Sequence, residues 1–299
     1  MAKIQLTDEI LPKLKYINKK GLKEGTYYFP DFLIIGPQRT GTTWLSNNLV
    51  INPQIFIPFQ KEFFFFNALI KKRKEDMYTS DRLEWYSNKF SPRISNVILT
   101  YLKYNIKNFM TFKRLEVGNM NLIKCFHSRV MGESTASYAA MEECLINEIV
   151  VLNPDIKIIM LIRNPIDRAW SHAKKDLLKW QRKSFPEIKF SDFENFYNDE
   201  YILRCGKYTE IIEMWNKYIK QENFFIGVFD DIIKNPKDLL MRIFKFLEVR
   251  CNEKVIARFS ETVINSTPEK EMPEIHRDYL KKLFENEISK LNKMFNLDW

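Results

Sequence analysis

The sequence predicts an α/β fold, a single domain with a central parallel sheet flanked by helices, of the P-loop-like nucleotide-binding kind. Short apolar runs bounded by turn residues, Asp31 to Ile35, Ile156 to Ile162 and Phe224 to Phe229, read as strands buried on both faces. Amphipathic stretches with helical spacing alternate with them, as crossovers between parallel strands require. Between the first strand and the first helix of this pattern lies Gly36-Pro-Gln-Arg-Thr-Gly41-Thr-Thr43, in a chain with only 8 glycines. A chain so sparing of glycine places it where backbone geometry or close ligand approach demands it.

Taken in chain order, residues 1–29 are expected to form a helical extension, with an exposed helix over 6–20, and residues 30–299 the domain proper. After the strand ending at Gly36, Thr42 to Val50 reads as a helix, and Ile55-Phe-Ile57 as a short strand. Residues 70–115 are rich in Lys, Tyr and Asn. Their helical spacing, Leu83, Tyr86, Phe90 and then Leu99, Leu102, Ile106, Phe109, predicts a helical insertion over one side. The strand 156–162 is stopped by Arg163-Asn164-Pro165, and a helix runs from about Pro165 toward Trp180. Past the strand 224–229, Asp230, Asp231 and Lys234 mark a surface turn and a helix start, and 236–249 and 276–297 are amphipathic helices.

With 299 residues, 45% of them apolar, the chain can bury one large core, which excludes collagen, coiled coil and wholesale disorder. An excess of 47 Lys+Arg over 38 Asp+Glu leaves +9 and points to an anionic partner without naming one. The four cysteines, at 125, 144, 205 and 251, have no zinc-clip spacing, so no metal is expected and reduced thiols suit a cytoplasmic location. No stretch approaches the ~18 apolar residues of a membrane span, so no membrane partner is expected.

The chemistry lies in two loops at the carboxyl ends of strands. In the loop 36–43, small residues let backbone N–H groups converge on an anion, and the helix N-terminus adds partial positive charge. A kinase or ATPase carries Lys after the second glycine to serve the β/γ-phosphates, with Mg²⁺ on the adjoining hydroxyl. Here that position is Thr42, and the cation is Arg39 inside the loop. A second anion site is predicted at Arg163-Asn-Pro-Ile-Asp-Arg168-Ala-Trp-Ser171, where two guanidiniums and a hydroxyl surround another helix start. The bland alternative there is a capped helix with Arg168 paired to Asp167 or Glu133.

Together these motifs resemble the sulfotransferases that use 3′-phosphoadenosine 5′-phosphosulfate (PAPS). Pro-Gln-Arg-Thr-Gly-Thr-Thr-Trp44 is similar to that family's 5′-phosphosulfate loop, and Arg163 with Ser171 to its 3′-phosphate site. Lys61-Glu62-Phe-Phe-Phe-Phe-Asn67 resembles a segment of the heparan-type and related bacterial members, and Gly132-Glu-Ser-Thr-Ala-Ser-Tyr138 one of their strands. Gly206-Lys-Tyr208 with Trp215 is a further family spacing. The resemblance runs from about residue 30 to the end.

The resemblance implies PAPS as sulfuryl donor, PAP as product and no metal. Arg39, Thr40, Gly41, Thr42 and Thr43 would hold the 5′ end, Arg163 and Ser171 the 3′-phosphate, and Trp44 and Tyr208 the adenine. Trp44 also reads as a buried helix aromatic. Arg39 cannot give up a proton, so its part is electrostatic, and Glu62 is the expected general base. Among the histidines, His172 reads as structural, while His127 and His276 lack a supporting motif. Ser134 stands where some heparan-type enzymes carry a lysine, which favours a small organic acceptor over a polysaccharide. Lys270, in the segment expected over the 3′-phosphate, reads as a solvated lysine. The alternatives are a P-loop kinase or NTPase, which the missing lysine opposes, and a basic polyanion-binding protein, which runs as short as Lys71-Lys-Arg-Lys74 do not support.

Overall fold

Period-two and buried-run patterns set the strands. The computed structural model describes residues 2–20, 22–50, 52, 54–58, 62–70, 80–91, 130–180, 184–250 and 271–299. Seven strands are present among them: β1 (Ala2–Leu6), β2 (Gly25–Phe29), β3 (Phe32–Ile34), β4 (Ile55–Phe56), β5 (Val130–Ser134), β6 (Lys157–Ile162) and β7 (Phe224–Val228). Strands β4-β5-β3-β6-β7 form one five-stranded sheet in that order, every pairing parallel. The α/β prediction therefore holds, with each predicted strand present within a residue or two.

Both faces of the sheet are covered, and β6 shows why its run is continuously apolar. Ile158, Met160 and Ile162 enter one core cluster while the alternate residues Ile159 and Leu161 enter a second on the opposite face. Central strand β3 divides likewise, Leu33 to the first cluster and Phe32 and Ile34 to the second. Side chains on a strand point alternately to the two faces, so a strand buried on both has no polar face to display. The helices Thr42–Leu49 and Pro236–Phe246 cover the second face, and Glu143–Leu152 and Tyr208–Asn216 the first.

The chain leaves β3 toward β4 at one edge, returns to β5, then crosses β3 to reach β6. Strand order thus reverses at β3. In an open parallel sheet the crevice for ligands lies beyond the carboxyl ends of the strands at such a point. Residues 36–41 follow β3 there, and residues 163–164 follow β6 next door.

The N-terminal segment differs from expectation. In place of a helical extension over 1–29, β1 and β2 form an antiparallel pair, with a single 3₁₀ turn at Leu11–Lys13. The physical reason is visible in Ala2-Lys-Ile-Gln-Leu6: Ile4 and Leu6 are buried while Lys3 and Gln5 are exposed, an alternation of period two. Buried Glu148 then accepts the backbone N–H groups of Lys15 (2.6 Å) and Ile17 (3.3 Å), which draws that stretch out of helical geometry. Of the expected insertion, Leu83–Phe90 is a helix with Leu83, Tyr86 and Phe90 buried, as its spacing predicts. Leu99, Leu102, Ile106, Phe109, His127 and Lys270 lie outside the described residues, as do Lys61 and the run 71–74.

A third cluster joins the helices Pro165–Ala173, Phe190–Tyr197 and Glu274–Phe295 around Trp170, Phe193 and Phe284. The helix from Pro165 continues toward Trp180 as a π-helical stretch, Lys174–Trp180.

Candidate active site

The first glycine of the loop is required by contact. A Cβ on Gly36 would stand 2.9 Å from both the Leu161 backbone nitrogen and Thr40 Oγ1. Gly41, the N-cap of the Thr42–Leu49 helix, has φ +93° and would place a Cβ 2.4 Å from Ile232 Cδ1. Thr40 Oγ donates to the Pro37 carbonyl at 2.7 Å, closing the loop on itself. Arg39 adopts a positive φ of 75°, a conformation uncommon outside glycine that clusters at functional sites. Gln38 is held from outside, its Nε2 donating to the Tyr201 hydroxyl at 2.6 Å.

That strained turn sends the Arg39 side chain toward the neighbouring loop, where Nε donates to Ser171 Oγ at 2.8 Å. Arg163 reaches back, with Nη1 donating to the Arg39 carbonyl at 3.3 Å and its guanidinium 4.4 Å from the centre of the Phe229 ring. Burial, and next the charge of Arg163, lowers the Arg39 pKa from its usual value; burial is also the main cause lowering that of Arg163. Two partly desolvated guanidiniums side by side favour an anion between them. The two loops predicted separately thus meet, and Asn164 caps the second helix by accepting the Ile166 N–H at 2.9 Å.

Arg168 is enclosed within the fold. It is fully buried, donating through Nη2 to the Ile202 carbonyl at 3.0 Å and lying 3.4 Å from His172 Nδ1, while its Nε has no hydrogen-bond partner. Glu133, one partner considered for it, is engaged elsewhere. His172 is buried, and desolvation followed by the Arg168 charge hold it well below the ordinary histidine pKa, which suits the structural role expected of it. His276 sits in an aromatic cage with Trp170, Phe190 and Phe193 and within reach of the Tyr197 hydroxyl at 3.1 Å.

Trp44 is 4% exposed and belongs to the second core cluster. Tyr208 is fully buried, its hydroxyl accepting the Arg163 N–H at 3.3 Å and its pKa raised chiefly by burial. Trp44 thus packs in the core on one face of the sheet and Tyr208 in the core on the other. Trp215 is fully buried too, donating to the Ala139 carbonyl at 3.2 Å.

Glu62 stands one strand away from the glycine loop. Its N–H donates to the Ser134 carbonyl at 3.1 Å, and Ser134 pairs in register with Ile34, two residues before Gly36. Glu62 and Phe64 both have positive φ, 66° and 56°, on either side of buried Phe63. Among the described residues no group of three or more His, Cys, Asp or Glu converges as a metal site.

A family model described as the sulfotransferase domain matches residues 29–294. The chain belongs to the sulfotransferase family. Its relatives include the membrane-associated sulfotransferase kil1 of Dictyostelium discoideum, 25% identical over 171 residues, covering 57% of this chain and 28% of that protein. Heparan sulfate glucosamine 3-O-sulfotransferase 5 of Mus musculus is 25% identical over 226 residues, 74% of this chain and 54% of that one. The bifunctional heparan sulfate N-deacetylase/N-sulfotransferase 3 of Homo sapiens is 29% identical over 238 residues, 74% and 22%. The chain spans about a quarter of the length of the first of these curated relatives. Among solved structures, the sulfotransferase from Alicyclobacillus acidocaldarius superposes with a TM-score of 0.64 at 20% identity, covering 91% of this chain and 97% of that one. The sulfotransferase domain of the curacin biosynthetic pathway gives 0.52 at 14% identity, covering 91% and 99%.

Three features of this sulfotransferase site escaped the sequence reading. Phe229 was read only as the end of a strand, yet its ring packs on Arg163 and faces Gly41. Tyr201, which steadies Gln38, carries no local signal, because 163 residues separate the two. Glu133 did carry one: an acid in an otherwise buried strand, followed by Thr135 and Tyr138, signals a carboxylate that must find hydroxyl donors.

Proposed function

We propose that this sulfotransferase takes its sulfuryl group from PAPS and transfers it to a hydroxyl or amine of a small organic acceptor, with Glu62 as general base. The observation that carries the reading is the Arg39–Ser171 hydrogen bond, which sets the loop suited to a 5′-phosphosulfate against the helix start suited to a 3′-phosphate. The residues fit a nucleotide with phosphates at both ends. Gly36 and Gly41 leave no room for a side chain where backbone amides would approach an anion, and the guanidiniums of Arg39 and Arg163 converge beside them.

PAPS supplies an activated sulfuryl group whose transfer resembles phosphoryl transfer, so the protein chiefly positions and stabilises charge. The amides of Thr40, Gly41, Thr42 and Thr43 and the Arg39 guanidinium would oppose negative charge at the 5′ end. Arg163 and Ser171 would fix the 3′ end, and Trp44 and Tyr208 would serve the adenine. Glu62 takes the acceptor proton as the acceptor's O–S or N–S bond forms and the bond from sulfur to the bridging oxygen breaks, PAP leaving with the electron pair; the base contributes roughly 10²–10⁴ in rate.

A small acceptor is favoured by Ser134 in place of a lysine and by the aromatic pair Phe63, which follows Glu62 in the chain, and Trp85, whose rings meet edge-on. The heparan sulfate enzymes among the relatives favour a polysaccharide as a second reading. The free thiols of Cys144 and Cys205 suit a reducing cytoplasm; no helix among the described residues is long and apolar enough to cross a membrane.

The test is calorimetric titration with PAP, then turnover of radiolabelled PAPS with naphthol, a primary alkylamine and N-desulfated heparin. Glu62→Gln should retain PAP affinity and lose most turnover. No PAP binding refutes the donor, an equally active Glu62→Gln the base, and label in heparin alone the small acceptor.

A further inference from the structure

A closed ring of contacts joins the two loops through a helix that belongs to neither. Gln38 Nε2 donates to the Tyr201 hydroxyl at 2.6 Å. Tyr201 precedes Ile202 in the short helix Glu200–Arg204, and the Ile202 carbonyl accepts Arg168 Nη2 at 3.0 Å. Arg168 lies in the helix Pro165–Ala173, one turn before Ser171. Ser171 Oγ accepts the Arg39 Nε–H at 2.8 Å, and Arg39 follows Gln38 in the chain. The circuit Gln38–Tyr201–Ile202–Arg168–Ser171–Arg39 is thus closed by three hydrogen bonds, with covalent neighbours and one helical turn between them.

The seat of the ring is itself held. Asp199 caps the Glu200–Arg204 helix by accepting the Ile202 N–H at 3.1 Å, and Arg204 donates to the Met141 carbonyl at 3.0 Å and to Glu142 at 3.1 Å. Buried Cys205 adds a weaker contact, its thiol donating to Gln38 Oε1 at 3.5 Å, so both ends of the Gln38 amide are engaged. On the far side Arg168 is fully buried, and a hydrogen bond on a buried charge is costly to break. On the near side Arg39 holds its φ of 75°, a conformation that persists only when the surroundings over-determine it. Tyr201 grips the residue before it, Ser171 its side chain, and Arg163 Nη1 its carbonyl at 3.3 Å.

Each loop is complete by local means: Thr40 closes the first on the Pro37 carbonyl, and Asn164 caps the helix of the second. Neither can set its distance from the other. A nucleotide with one phosphate needs only one loop, whereas a nucleotide with phosphates at both ends needs both at a single separation. Fixing that separation in advance favours the doubly phosphorylated ligand, because the second contact then costs no further ordering. We propose that Tyr201 is a positioning residue for the nucleotide: by holding Gln38 to the Glu200–Arg204 helix, to which Arg168 ties the helix of Ser171, it fixes the separation of the two loops and so selects a nucleotide phosphorylated at both ends. This rests on the PAPS reading of the two loops. Tyr201 acts through Gln38 and needs no contact with the nucleotide.

The experiment is calorimetric titration of the wild type, Tyr201→Phe, Gln38→Leu and the double variant with PAP, adenosine 5′-phosphate and adenosine 3′-phosphate. Tyr201→Phe removes one hydroxyl and should weaken PAP about tenfold, the worth of the lost hydrogen bond, while each single-phosphate nucleotide stays within about threefold. A merely structural loss would weaken all three alike. The double variant should bind PAP within about twofold of Gln38→Leu alone, because without Gln38 the Tyr201 hydroxyl has nothing to hold. Arg168→Met cuts the ring at another link, so in that background Tyr201→Phe should also cost less than about twofold. If Arg168→Met does not fold, Ser171→Ala, which cuts the ring at Arg39, supplies the background. A Tyr201→Phe variant that keeps the wild-type preference for PAP, one that loses all three nucleotides equally, or losses that multiply in either double variant overturn the proposal. A wild type that binds PAP no more tightly than the single-phosphate nucleotides overturns the donor reading beneath it, and needs no variant to show it.

Discussion

Gly41→Ala strikes the point where the glycine loop, the Thr42–Leu49 helix and the Phe229–Lys234 helix meet. At φ +93° an alanine is strained whatever the space around it, by about 1–2 kcal/mol. Its Cβ would also lie 2.4 Å from Ile232 Cδ1 and 3.1 Å from Phe229 Cδ2. Ile232 can swing part of its side chain aside, but the Phe229 ring packs on Arg163 at 4.4 Å and moves only by disturbing it. Overpacking of this kind costs roughly 1–3 kcal/mol, so the total is about 2–5 kcal/mol. For a domain of this size about 2–4 °C of Tm accompanies each kcal/mol, giving a fall of roughly 4–20 °C. Relief of the clash would also turn the amides of 42 and 43, weakening PAP by about tenfold or more. Scanning calorimetry and isothermal titration of the same preparation test both. A Tm within about 2 °C of wild type together with PAP affinity within about twofold would refute the argument that this glycine is demanded by geometry.

Arg163→Met should weaken PAP by roughly 10–100-fold, the worth of a charge-assisted hydrogen bond, and change adenosine 5′-phosphate affinity much less; equal losses for the two nucleotides would place Arg163 at the 5′ end. Asn164→Ala should cost about 1 kcal/mol by uncapping the Pro165–Ala173 helix, read as a lower urea midpoint with unchanged slope. Burial pushes the Glu133 carboxyl up to about 7, the hydroxyls of Thr135, Tyr86 and Tyr138 and the Phe63 N–H pulling the other way. Between the ordinary value of 4.5 and about 7 the folded chain therefore holds a proton that the unfolded chain has lost. Stability must fall as pH rises through that window, by on the order of 3 kcal/mol relative to Glu133→Gln. His172, buried neutral, contributes the opposite slope below its ordinary pKa, but equally in both proteins. Urea unfolding of the pair at several pH values checks the difference; a difference that grows in the wild type's favour with rising pH contradicts it.

Much of the fold was legible because its signals are local. Strands buried on both faces must be continuously apolar, as 156–162 is, and amphipathic spacing located the helices 236–249 and 276–297. The N-terminal segment was misread because Ala2 to Leu6 carries only five residues of alternation, and the acceptor that holds Lys15 and Ile17 in place is Glu148, more than 130 positions away. Of the candidate site, both loops were readable, since glycine spacing and a capped helix start are short-range features. Their contact through Arg39 and Ser171, 132 residues apart, was not.

The sequence by itself determined the class of chemistry. Thr42 where a phosphoryl-transfer loop carries lysine, Arg39 within the loop, and Arg163 with Ser171 are identities that hold wherever the chain goes. Tertiary structure alone decided their relations: that the two loops adjoin at the strand-order reversal beside β3, that Trp44 and Tyr208 are buried in cores on opposite faces of the sheet, and that Glu133 meets the Tyr86 and Thr135 hydroxyls and not Arg168. Residue identity specifies which groups can donate, accept or carry charge. Which donor meets which acceptor depends on strand order and packing, and these are set by contacts between residues far apart in the chain.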